Sequence, residues 1–160
     1  MINIYGYNNH WISRLIRWKL KFKYSHIGIL DEENQTVIES IGPPIREYLA
    51  HELFNKPYSR RYGVVETPIK EFKARYVETA TRYIEGDIRK AWARIGMPFD
   101  MVGLICAGLG INYHNPLKDF CVETISHAVT HIENHEAHLQ TTKTIWYMSE
   151  PTHDEEGPHK

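Results

Sequence analysis

The sequence predicts an α+β domain, and three observations carry that expectation. Two short β-rich segments, Tyr24–Leu30 and Thr36–Ser40, flank a polar connection, which reads as a local hairpin. Helical periodicity is confined to a few segments, with no regular alternation of strand and helix, so a doubly wound sheet is not expected. The chain has 160 residues, 42% hydrophobic and 24% charged, which are the proportions of one globular domain. A chain of this size buries about 70% of its unfolded surface and needs no disulfide or metal to fold. We place the domain at 1–148 and read 149–160 as an acidic, flexible tail.

Along the chain, Trp11, Ile12, Leu15 and Ile16 have the spacing of a short amphipathic helix over His10–Arg17. Trp18, Leu20, Phe22 and Tyr24 then alternate with Lys19, Lys21 and Lys23, which predicts an extended approach to the hairpin. Gly42-Pro43-Pro44 stops the second strand. Arg60–Glu66 predicts a third strand, closed by Thr67-Pro68. From Glu71 to Ile95, Val77, Ile84, Ile88, Trp92 and Ile95 recur at helical spacing, with Gly86 as an interruption and Gly96 and Pro98 as stops. Met101–Ile111 reads as a buried helix ended by Gly108 and Gly110. Val122, Ile125, Val129 and Ile132 lie on one face of an expected helix over Cys121–His135.

The longest nearly apolar run, Met101–Ile111, is too short to span a bilayer. The N-terminus lacks the charged-then-apolar order of a secretory signal, and two cysteines fit a reducing compartment as free thiols. The expected location is therefore cytoplasmic or inside a particle. The formal net charge is only −1, so nucleic acid is not the expected partner. The charge is uneven, however. Arg14, Arg17, Lys19, Lys21 and Lys23 precede Leu30 with no acidic residue among them. They form either an anion-facing surface or a solvated face balanced by acid elsewhere.

Cys121 is the most informative residue. A cap at Asp119 or its neighbour puts the thiol in the first turn of a helix, where backbone amides and the helix dipole favour the thiolate. The alternative is a small core side chain, the role assigned to Cys106. His26, on the first hairpin strand, is the best-placed base. If the loop is Asp31–Asn34, Ile27 pairs with Ile38 and His26 lies directly across from Glu39, whose carboxyl would orient the imidazole. The same register buries Ile27, Ile29 and Ile38 together. An edge histidine beside an unrelated glutamate has the same pattern.

Four segments, Tyr-Ser-His-Ile-Gly-Ile-Leu, Val-Ile-Glu-Ser, Gly-Met-Pro-Phe-Asp and Phe-Cys-Val-Glu-Thr, together resemble the circularly permuted NlpC-type papain-like hydrolases. The resemblance runs from about Trp11 to Ile132. It implies a permuted papain-like fold, with Cys121 as nucleophile, His26 as base and Glu39 as the orienting residue. It also implies amide hydrolysis without a cofactor, with peptidoglycan stem peptides as the expected substrate. Gly96, Pro98, Phe99 and Asp100 match a structural turn of the family. Val122 stands where members carry serine and Phe99 where they carry tyrosine, while Glu123 matches and reads as structural. Two alternatives remain: a thiol acyltransferase or lipase acting on lipid esters, with Trp11–Lys23 as the membrane contact, and a non-catalytic module, for instance of a phage particle.

A rival pattern lies C-terminal to Cys121. Glu123, His127, His131, His135 and His138 form one ridge on the expected helix, and His127, His131 and His135 have the spacing of a divalent-metal site. No acidic base sits between them as in a His-Glu-x-x-His motif, and a solvated polar face has the same signature.

Overall fold

Six antiparallel strands form one sheet in the computed structural model, in the order β4-β3-β2-β1-β5-β6. Residues 1–8, 10–57, 61–76 and 79–151 are described, with backbone only at 10–12 and 134. The strands are β1 Ile2–Tyr7, β2 His26–Asp31, β3 Thr36–Ile41, β4 Gly63–Pro68, β5 Thr79–Ile84 and β6 Glu150–Pro151. The helices are α1 His10–Leu20, α2 Ile45–Phe54, α3 Ile69–Arg75, α4 Ile88–Trp92, α5 Met101–Leu109, α6 Cys121–Ala128 and α7 Thr142–Met148, with a 3-10 helix at Asn134–Leu139. The expected α+β class holds.

Apolar side chains leave the sheet on both faces. Ile2, Ile4, Ile27, Ile29 and Ile38 form the larger core with Ile125, Ala128, Ile145 and Trp146. Tyr5, Tyr7, Val37, Phe72 and Tyr76 form a smaller one on the other face. β1 is buried along its whole length and pairs on both sides. Asn3 and Gly6 interrupt its alternation, so periodicity does not mark it as a strand. Gly6 is required there: a Cβ would fall 2.6 Å from the Trp146 ring and 2.7 Å from that of Tyr24.

The expected helix over Glu71–Ile95 is absent as a unit. The segment contains the end of α3, the whole of β5 and α4, and Val77 lies outside the described residues. β-Branched and aromatic residues (Thr79, Thr81, Tyr83, Ile84) pair in full register with β1, and that tertiary ladder overrides a helical period. Only Ile88 and Trp92 share a helix. It is capped by Asp87, whose side chain accepts the Arg89 N–H at 3.0 Å.

Three other expectations change. α1 runs on through Trp18-Lys19-Leu20, and Lys21 closes it in the left-handed conformation (φ 49°). Arg17 and Lys19 in the last turn suit the negative end of the helix dipole. α5 forms where expected but is not buried: Val102, Ile105 and Leu109 are exposed and Cys106 is half-exposed. The chain also stays ordered past 148. Ser149 is buried, its carbonyl accepts from Arg82 Nη1 at 3.2 Å, and β6 pairs with β5. The domain therefore reaches Pro151, and the remainder of the expected tail, 152–160, lies outside the described residues.

No helix among the described residues is long and apolar enough to cross a membrane.

Candidate active site

The start of α6 carries Cys121, as the sequence predicts. Phe120 is the N-cap residue, and its N–H is accepted by the Glu123 carboxyl at 3.2 Å, so the cap comes from inside the first turn. Asp119 is spent elsewhere. Its carboxyl takes both Arg94 Nε, at 2.7 Å, and Arg94 Nη2. The Gly-Met-Pro-Phe-Asp segment locks this start in place. Asp119 N–H donates to the Pro98 carbonyl at 2.9 Å, and Asp100 N–H donates to the Asp119 carbonyl at 3.0 Å. On its other side the Met97 carbonyl accepts the Val64 N–H at 2.9 Å. Gly63 permits that approach, since a Cβ there would lie 2.2 Å from the Met97 oxygen. Ser40 Oγ on β3 donates to the Asp119 carbonyl at 3.1 Å. The segment is thus structural. Phe99 and Val122, the two departures, are both buried in the larger core.

Cys121 is 5% exposed. The backbone amides of Ile27, the residue after His26 on β2, of Val122 and of Cys121 itself act on the thiol in the lowering direction. Burial outweighs these donors and, with Glu123 nearby, pushes the thiol up to about 12. The thiol is therefore neutral at physiological pH in this state, whereas the sequence predicts a lowered value. The helix start is legible in the sequence; the desolvation is not.

The His26–Glu39 pairing also changes. Ile29 pairs with Ile38 and Asp31 with Thr36, which puts Glu39 across from Gly28 and diagonal to His26, not directly opposite it. The loop is Glu32–Gln35. Asp31 ends the strand because its carboxyl takes the Asn34 N–H at 3.1 Å, Asn34 Nδ2 at 2.8 Å and Trp92 Nε1 at 2.7 Å. The shift is two residues, so His26 and Glu39 keep the same face and Ile27, Ile29 and Ile38 are still buried together.

Tyr7 spans the gap. It pairs with His26 in the β1–β2 ladder and stacks on the imidazole, with ring centroids 5.5 Å apart and planes 20° apart. Its hydroxyl donates to Glu39 Oε2 at 3.1 Å. Glu39 accepts three more donors: Tyr76 Oη at 3.2 Å, Thr67 Oγ1 at 2.7 Å and Arg75 Nη1 at 3.3 Å. Burial and the Glu39 carboxyl hold the Tyr7 phenol well above its ordinary value, with the Cys121 sulfur contributing in the same direction. Tyr7 thus contacts His26 and Glu39 directly, and the Cys121 sulfur acts on its phenol. The sequence signal for it is the aromatic alternation of Tyr5 and Tyr7, with two residues between Tyr7 and α1.

The histidine ridge does not form. α6 ends at Ala128, because Val129 turns into an extended bridge with Gly86 and the Thr130 N–H donates to the Glu85 carbonyl at 3.0 Å. His131 then meets Glu85 at 3.0 Å, and His138 stacks on His114 at 4.8 Å. His127 and His135, with Arg94, His114 and Pro116, line a cleft of about 400 Å³ that Cys121, His26 and Glu39 do not line. Among the described residues no three His, Cys, Asp or Glu side chains are grouped as metal ligands. The structure thus separates His131 from the His127 and His135 of the proposed metal set.

No protein-family model, curated protein or solved structure matches this chain.

Proposed function

We propose that this chain is a cysteine hydrolase acting on an amide bond, with Cys121 as nucleophile, His26 as base and Glu39 a positioning residue that acts through Tyr7. The observation that carries the reading is the packing of the start of α6 against β2, where Cys121 and Ile27, the residue after His26, share the larger core and the Ile27 amide bears on the thiol. The chemistry runs from a neutral thiol. As the sulfur attacks the carbonyl carbon, its proton passes to His26, and the new oxyanion faces the Cys121 and Val122 amides. His26 then gives the proton to the leaving nitrogen as the C–N bond breaks. Water, deprotonated by His26, attacks the thioester carbon, and the C–S bond breaks as His26 returns the proton to the Cys121 sulfur, releasing the acid and restoring the neutral thiol. The resemblance to NlpC-type enzymes, rather than the geometry, supplies peptidoglycan stem peptides as the substrate class.

One observation favours a second reading, a non-catalytic module that keeps the arrangement: the thiol is buried and neutral. Acylation by p-nitrophenyl acetate, followed by intact mass and peptide mapping, separates the two. For the hydrolase, one acyl group forms on Cys121, survives Cys106→Ala, and forms about 100-fold more slowly in His26→Ala. No acylation at Cys121, or acylation indifferent to His26, assigns the module.

A further inference from the structure

α1 presents an apolar stripe to solvent. Its packed side is Ser13, Ile16 and Leu20, with Ser13 buried and hydrogen-bonded to Ser25 Oγ at 2.7 Å. On the outward side, Leu15 is 59% exposed and Trp18 is 75% exposed. Exposure of a tryptophan and a leucine one helical turn apart costs solvation free energy that folding does not recover, and such a patch marks a contact surface. Arg14 and Lys19 flank the stripe, and Lys21 and Lys23 follow it; all four are exposed. Arg17 is half-buried, so the outward basic set is four residues rather than the five read from the sequence. No acidic residue occurs between Met1 and Leu30.

We infer that α1 and the Lys21–Lys23 segment form a docking surface for an anionic lipid bilayer. Two features select that occupant. Trp18 and Leu15 are centred between cations, so the apolar groups enter the headgroup boundary while Arg14 and Lys19 stay level with the phosphates. A tryptophan is the side chain that favours this depth, since its ring is apolar and its N–H is polar. An acidic polymer would use the charges and leave the outward Leu15–Trp18 stripe in water. The surface joins the candidate active site through Ser25, which precedes His26, but its argument does not depend on hydrolysis.

The test is co-sedimentation of the full chain with vesicles of phosphatidylcholine alone and of phosphatidylcholine mixed with phosphatidylglycerol. The expected result is binding to the mixed vesicles only, lost at about 1 M salt, where the screening length is roughly 3 Å. Arg14→Gln/Lys19→Gln weakens binding about 25-fold, from about fivefold per charge. Leu15→Ser/Trp18→Ser weakens it at least tenfold without lowering the melting temperature, because both side chains are exposed. Failure to bind mixed vesicles at low salt overturns the inference. So does binding that ignores Leu15→Ser/Trp18→Ser, or equal retention on heparin with none on vesicles, which would assign an acidic polymer.

Discussion

At Cys121 two influences on one thiol oppose each other. Three amide N–H groups favour the thiolate, and burial in the larger core favours the thiol; burial wins. Its folded value, about 12, lies above the ordinary one, so the neutral thiol adds stability below about pH 8.5. That stability is lost as pH rises towards 12. In a Cys106→Ala background, iodoacetamide should therefore alkylate Cys121 about a thousandfold more slowly at neutral pH than it alkylates a free thiol, with a rate still climbing beyond pH 10. A plateau below pH 8 would show that the amides prevail. Slow alkylation is compatible with the proposed hydrolysis, because His26 takes the proton during attack rather than before it.

Within α6, the first turn depends on a carboxyl that faces inward. Glu123 is buried and caps Phe120, and its other oxygen lies 3.5 Å from His114 Nδ1. Burial, reinforced by Asp119 and Asp100, pushes Glu123 up to about 8, against the lowering by the Phe120 amide and Arg94. The folded value exceeds the unfolded one, so the protonated form contributes stability fully present below about pH 4.5. That contribution declines as pH rises through 8. Urea unfolding across this window should show stability falling by a few kcal/mol, and Glu123→Gln, which keeps an acceptor for Phe120, should flatten the profile. An unchanged slope in the variant would assign the pH dependence to another group.

Over the whole molecule, Glu39 ties distant parts of the chain to one buried carboxyl. Its donors come from β1 (Tyr7), β4 (Thr67), the end of α3 (Arg75) and the residue after it (Tyr76). Glu39→Ala leaves Tyr7, Thr67 and Tyr76 as buried hydroxyls without this acceptor, and we expect a loss of about 3 kcal/mol in urea unfolding. Tyr7→Phe removes one donor of four and keeps the His26 stack, for an expected loss of about 1 kcal/mol. Equal losses would mean that Tyr7 alone, not the cluster, links β1 to the second core. In the proposed mechanism Glu39 need not face His26 directly, because Tyr7 stacks on His26 and donates to Glu39.

Local chemistry in the sequence determined several parts of this protein. The hairpin follows from its β-rich runs and polar loop, the start of α6 from Phe120-Cys121 and the periodicity after it, and the basic stretch from simple count. The Ile27, Ile29 and Ile38 core follows from alternation, which survives a two-residue shift in register. Tertiary partners decided the rest. β5 is a strand because β1 offers it a six-residue ladder, and α6 stops at Ala128 because Gly86 captures Val129. Asp31 ends β2 through contacts that include Trp92, sixty-one residues away. The thiol's high value comes from burial beneath residues scattered along the chain. Periodicity and propensity act within a turn or a strand pair, whereas desolvation and ladder completion depend on residues far apart in sequence, and no local pattern records them.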